Sequence, residues 1–142
     1  MERPVRVFLD SNVLFSIAYT GKDRSRSYLI YEIQALGLLT VCLSNLVCKE
    51  AFLNIRRKRP EAEQLLAELL DRSQVLEDMA VDLGNAEIRR LPQSDRIILS
   101  TAVYHKADFF LTGNEKDFKG LYRRRVLGTL ILKPGDFLQR DF

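Results

Sequence analysis

Apolar residues recur with a period of two at Val5, Val7 and Leu9, with Arg6 and Phe8 between them, and this alternation predicts a first strand that ends at Asp10. Four further short apolar runs predict strands at Leu39–Leu43, Gln74–Glu77, Phe109–Thr112 and Gly128–Leu132. Between the strands the apolar spacing becomes helical. It predicts helices over Ser25–Leu36, over Leu43–Arg57 behind Ser44 as a cap, and over Pro60–Leu70, where proline suits a helix start. Another helix opens at Ser94 or Asp95, with Ile98, Leu99, Ala102 and Val103 as its inward stripe. Gly84, Asn85 and Pro92 mark loops around a short helix. Strands alternating with helices predict an α/β fold, a three-layer sandwich whose mostly parallel central sheet has about five strands.

Composition narrows the class. A chain of 142 residues with 46% apolar content suits one domain over 1–142 with a full hydrophobic core. No apolar run approaches the roughly 20 residues that span a bilayer, and Met1 to Asp10 lacks the order of a secretory leader, so the expectation is a cytoplasmic protein with no membrane segment. Cys42 and Cys48 lack a second Cys/His pair and read as free buried thiols. The net charge of +3 does not by itself identify a nucleic-acid binder. Two basic runs, Arg56-Arg57-Lys58-Arg59 and Arg123-Arg124-Arg125, read from composition first as solvated helix ends, with phosphate-attracting surface as the alternative.

The chemistry lies in the acids. In open α/β sheets, ligands sit outside the carboxyl ends of the strands. Asp10 closes the first strand there, followed by Ser11 and Asn12. Helical spacing puts Val47, Ala51 and Asn54 on positions adjoining Glu50, so its carboxylate lies beside the apolar face, where a bare charge is costly to desolvate. Asp95 stands at the N-terminal tip of the stripe running through Ile98 and Leu99. After the fourth strand comes Thr112-Gly113-Asn114-Glu115-Lys116-Asp117, a polar turn with oxygen donors on Asn114 and Asp117. Asp108 starts that strand and belongs to the opposite edge. Each acid alone has an ordinary explanation as a cap or boundary residue. Four carboxylates from four elements at one edge would repel one another, and a hard divalent ion, Mg²⁺ or Mn²⁺, relieves that repulsion through oxygen ligands.

The sequence Asp10-Ser-Asn-Val-Leu14, Glu50 within Lys-Glu-Ala-Phe, Asp95-Arg-Ile-Ile-Leu-Ser-Thr-Ala and Ala107-Asp-Phe-Phe-Leu-Thr-Gly-Asn-Glu-Lys-Asp-Phe118 resembles the PIN-domain ribonucleases across nearly the whole chain. Small members of that family include the VapC-type toxins of toxin–antitoxin pairs. The resemblance implies a metal-dependent endoribonuclease in which Asp10, Glu50 and Asp95 are the first three catalytic, metal-binding acids, leaving 5′-phosphate and 3′-hydroxyl ends. Many members carry Asp where this chain has Asn114, so the fourth position falls to Asn114 through its carbonyl oxygen or to Asp117. With one acid fewer, one tightly held ion is expected. Asn12 and Thr112 would orient ligands or waters, and the basic runs become tracks for RNA.

His105 reads as helix surface. Tyr28, Tyr31, Tyr104 and Tyr122 read as core at helical spacing. The expected partners are RNA, an antitoxin protein and a second copy, with Tyr28–Leu36 as a dimer face or simply core. Asn114 supports a competing reading, a PIN-like module that has lost its chemistry and serves in RNA binding or assembly.

Overall fold

Val7, Phe8 and Leu9 are all buried, so β1 (Val5–Leu9) is covered on both faces and lies inside the sheet. The structure is a computed structural model describing residues 3–140; Met1 and Glu2, the start of the stretch read above for a leader, lie outside it. β1 pairs in parallel with β2 (Leu39–Ser44) on one side and with β4 (Phe109–Leu111) on the other. β3 (Gln74–Leu76) extends the sheet beyond β2, and β6 (Thr129–Leu132) extends it beyond β4, both in parallel. The full order is β3-β2-β1-β4-β6-β5.

The sheet is mostly parallel as expected, and β5 (Arg125–Val126), which the apolar runs do not show, adds a sixth strand antiparallel to β6. Two residues are too few to show a period. Leu127 at φ +49° and Gly128 at φ +95° make the tight reversal between these strands, with the conformation that glycine tolerates best.

Helices cover the sheet. The first, α1 (Ser11–Thr20), has no counterpart among the helices read from spacing; it buries Val13, Leu14, Ile17 and Ala18. It ends at Gly21, whose amide donates to the Ile17 carbonyl at φ +92°. The segment read as one helix over Ser25–Leu36 is a 3₁₀ turn followed by α2 (Leu29–Ala35). α3 (Asn45–Lys58) follows with Ser44 as its cap, the Val47 amide donating to the Ser44 hydroxyl at 3.2 Å. Pro60 opens a 3₁₀ turn that leads into α4 (Glu63–Asp71). α5 (Ala86–Arg89) is the short helix between the loops, capped by Asn85, and α6 (Gln93–Tyr104) starts a residue or two before the position read from sequence. α7 (Glu115–Phe118) and α8 (Pro134–Leu138) complete the order.

The core runs through the sheet centre. Phe110 of β4 lies 5.7 Å from Phe8 and 5.4 Å from Phe118, ring to ring, contacts worth about 0.5–1.5 kcal/mol each beyond area burial. Phe118 thereby pins α7 beneath the loop after β4. Tyr31 is core, its hydroxyl paired with that of Ser73, whereas Tyr104 is 52% exposed, contrary to the core reading. Within Tyr28–Leu36, Ile30 and Tyr31 are buried while Leu29 and Leu36 face solvent, so the stripe is divided between core and surface. Both cysteines are free, Cys42 buried and Cys48 half-buried. Among the described residues no helix is long and apolar enough to cross a membrane.

Candidate functional site

Chain order places β2 and β3 on one side of β1 and everything after them on the other. The switch point therefore falls between β1 and β4, where a crevice opens at the carboxyl ends of the strands. Leu9 and Leu111 are register partners, so the next residues, Asp10 and Thr112, emerge side by side. The Asp10 amide still donates to the Leu111 carbonyl at 2.9 Å, which fixes the backbone of the crevice floor.

Asp10 is 2% exposed and surrounded by donors. Its Oδ1 accepts the Ser11 amide at 2.8 Å as the cap of α1; its Oδ2 accepts the Thr112 hydroxyl at 2.7 Å and the Asn12 amide at 3.0 Å. Burial still raises its pKa, assisted by the Glu50 charge and opposed by Thr112, Ser11 and Asn12. Thr112 also holds the Asn114 amide at 3.1 Å, and the Tyr122 hydroxyl donates to the Thr112 carbonyl at 3.0 Å. Asn12 accepts the Gly113 amide at 2.7 Å, and a Cβ at Gly113 would lie 3.2 Å from that same oxygen, so glycine lets the loop close over Asn12.

Glu50 projects from α3 toward the starts of two other helices. The Ser11 hydroxyl donates to its Oε1 at 2.8 Å and the Ser94 hydroxyl to its Oε2 at 2.5 Å, the short geometry of hydroxyls bound to a carboxylate. From sequence, Ser11 reads as a turn residue able to hydrogen-bond a neighbouring carboxylate, and Ser94 as a helix start. What marks them is a hydroxyl in the first turn of a helix that begins at the carboxyl edge, a weak signal until Glu50 is known to lie opposite.

Asp95, in the first turn of α6, is half-buried, and its pKa is raised to about 7. Burial is the largest cause, followed by the Asp10 charge, a hydrogen bond and charge from Asp117, and the Glu50 charge. Asp95 thus senses the other three acids, and Asp10 senses Glu50. Among the described residues none of the four forms a salt bridge with Lys or Arg. Asp108 behaves as expected from the far edge, holding the Arg6 amide and the Arg3 guanidinium.

Asn114 caps α7. Its Oδ1 accepts the Asp117 amide at 3.2 Å and its Nδ2 donates to Asp117 Oδ2 at 2.9 Å. Its carbonyl oxygen is therefore engaged, and its amide aims the Asp117 carboxylate at Asp95. His105 caps the far end of α6 with Nε2 3.0 Å from the Glu77 carbonyl.

The basic runs are placed differently. Helical rise puts Arg56 about 9 Å and Arg59 about 13 Å along α3 from Glu50, toward the opposite edge of the sheet. There Arg56 pairs with Glu63, Arg59 with Glu61, Arg57 with Asn54, and Lys58 lies over Phe15. Arg123 pairs with Asp136 at 3.7 Å, and Arg125 donates to the Gly128 carbonyl. Only Arg124 comes to the acidic side: although paired with Glu87, it lines with Arg90 and Asp117 a hollow of about 270 Å³.

The donor set is entirely oxygen and anionic, which suits a hard divalent cation. Among the described residues no three His, Cys, Asp or Glu side chains form a ready-made cage. Mg²⁺ ordinarily takes one or two carboxylates and keeps several waters, so a cage is not required. The four mutually repelling, salt-bridge-free acids fit such an ion.

The sequence matches the PIN domain over residues 7–124, a span from β1 past Asp117. The chain belongs to the PIN domain family. PIN domains are nucleases that generally use divalent metal ions. No curated protein matches the sequence. The fold is similar to a chain in the crystal structure of VapBC2 from Rickettsia felis bound to a DNA fragment from its promoter, with a TM-score of 0.61 and 18% identity over 91% of this chain and 98% of that one. It is also similar to a chain in a toxin–antitoxin complex from Klebsiella pneumoniae, with a TM-score of 0.57 and 21% identity over 90% and 97% of the two chains. This PIN domain therefore has close to the full length of both neighbours.

Proposed function

We propose that this PIN domain is a divalent-metal-dependent endoribonuclease, the toxin of a toxin–antitoxin pair, active in the cytoplasm with Mg²⁺ or Mn²⁺. The observation that carries the reading is the gathering of Asp10, Glu50, Asp95 and Asp117 without a salt bridge to Lys or Arg, with Asp95 raised to about 7 by its setting. Structural ion-pair networks do the reverse and lower carboxylate pKa values. Similarity to chains from two toxin–antitoxin complexes supports the toxin role and an antitoxin partner.

Asp10, Asp95 and Asp117 would hold the ion, with Glu50 beside them. When bound, the ion supplies positive charge to the phosphoryl oxygens and acidifies water. The chain's own residues do the positioning. Thr112 and Asn12 fix the Asp10 carboxylate, leaving its remaining lone pairs for the crevice. Ser11 and Ser94 hold both Glu50 oxygens, so Glu50 is oriented to accept a proton from water at the substrate phosphorus. Asn114 keeps Asp117 in place rather than serving as a ligand itself.

The test is cleavage of labelled RNAs with Mg²⁺, Mn²⁺ or chelator, comparing wild type with Asp10→Asn and Glu50→Gln. Cleavage that needs metal and is lost in both variants is expected; metal-independent cleavage, or unchanged variants, refutes the mechanism. Asn114 in place of an acid favours one other reading, a PIN domain kept for RNA binding or assembly. RNA binding without cleavage under every condition would select it.

A further inference from the structure

α6 has two working faces. Ile98, Leu99 and Ala102 pack inward, while Gln93, Arg96, Ile97 and Ser100 line a hollow of about 250 Å³. Ala80, Val81 and Asp82 from the connection after β3 close it, together with Ile88 and Arg89 of α5. Drug-sized ligands occupy roughly 300–1,000 Å³, so this space suits a single ring system.

One wall group lacks a partner. Ser100 is 1% exposed and its hydroxyl makes no hydrogen bond, whereas the neighbouring Thr101 hydroxyl donates to the Ile97 carbonyl and accepts the Met79 amide. A buried hydroxyl left in this state is unfavourable, and a ligand with a hydrogen-bonding edge relieves it. The other walls are aliphatic, from Val81, Ile88 and Ile97, with Gln93 supplying both a donor and an acceptor. Arg96 forms no salt bridge among the described residues, and Arg89, paired with Asp82, is also exposed at the edge of the hollow.

We propose that this hollow is a base-recognition pocket that takes one unpaired base of the RNA held at the carboxylates. This rests on the ribonuclease reading. A flat ring between aliphatic walls, with polar atoms on its edge, is what a nucleobase brings and what a purely apolar side chain lacks. Position supports the same occupant. Gln93 and Arg96 flank Ser94 and Asp95 in the first turn of α6, so the pocket and the Asp95 carboxyl are separated by about one helix width, 10–12 Å. α5 is followed by Arg90, which lines the Asp117 hollow with Arg124, so cations flank both sides of this short helix for the adjoining phosphates. The pocket thereby selects the nucleotide beside the cleaved bond.

RNA octamers carrying one 4-thiouridine or 6-thioguanosine, irradiated with the full chain in chelator, map the contact by mass spectrometry. Wild type should crosslink at Val81, Ile88 or Ile97, and Ala80→Trp, which plugs the hollow from its exposed rim, should lose those crosslinks. In metal, the ratio of kcat/KM between RNAs differing at one base should fall about ten-fold in Ala80→Trp and in Arg96→Ala, the size of one lost side chain–base contact. Crosslinks elsewhere with an unchanged ratio overturn the proposal. Loss of binding to a partner protein in Ala80→Trp, with RNA crosslinks unchanged, also overturns it, because the hollow then takes a protein side chain. Base crosslinks in the hollow without any metal-dependent cleavage refute the nuclease reading and leave the pocket standing.

Discussion

Replacing Asp95 by Asn should stabilise the metal-free protein while abolishing cleavage. The side chain keeps its shape and a donor toward Asp117, and loses the charge that burial disfavours most and that Asp10, Asp117 and Glu50 also oppose. A rise from 3.8 to about 7 corresponds to about 4 kcal/mol in a dry site. Asp95 is only half-buried, and solvent screening reduces this to about 1–2 kcal/mol, or about 3–6 °C in melting temperature for a chain of this size. The folded-state pKa is raised, so the favourable contribution of protonated Asp95 is complete below pH 4 and is lost as pH rises to about 7. The stability gap between Asp95→Asn and wild type should therefore be small at pH 4, widen up to pH 7 and stay level above it. Urea denaturation in chelator at half-unit pH steps measures the gap. Added Mg²⁺ should close or reverse it, because wild type then gains binding energy that the variant lacks. A gap independent of pH, or a variant less stable than wild type at pH 8, would refute the reasoning that burial and the neighbouring acids together disfavour the Asp95 charge.

Thr112→Val removes the donor to Asp10 and the acceptor for the Asn114 amide; we expect a loss of about 1–3 kcal/mol in denaturant titrations and of about 10–100-fold in metal affinity by calorimetry. Ser94→Ala frees one Glu50 oxygen at a half-exposed site, so single-turnover cleavage should fall about ten-fold with a stability change below about 1 kcal/mol; equal rates would show that Glu50 needs no positioning. Asn114→Asp keeps the α7 cap but turns the donor facing Asp117 into a second acceptor. Metal-free stability should fall by about 1 kcal/mol and Mg²⁺ affinity should rise, both read by titration calorimetry and melting.

Three of the acids were legible in the sequence because they sit at element boundaries: Asp10 after an apolar strand, Asp95 at the head of a helical stripe, Asp117 in the polar turn after Phe109–Leu111; Glu50, inside α3, was marked by its place beside Val47 and Ala51. Local spacing carries that information, and it also carried the parallel α/β class. It did not carry α1, whose Val13, Leu14 and Ile17 follow directly on the apolar β1, nor the two-residue β5. Proximity across the sheet was equally out of reach. Ser94 is 44 residues from Glu50, and only the placement of α3 beside α6 makes its hydroxyl a carboxylate donor. Charge runs show the same limit. Arg56–Arg59 and Arg123–Arg125 look alike along the chain, but helix direction carries the first to the opposite edge, and the turn after α7 brings only Arg124 of the second to the acids. Sequence thus determined which groups could do chemistry and at which ends of which elements; the order of strands around β1 decided which of them meet, because electrostatic coupling depends on distance through space and not along the backbone.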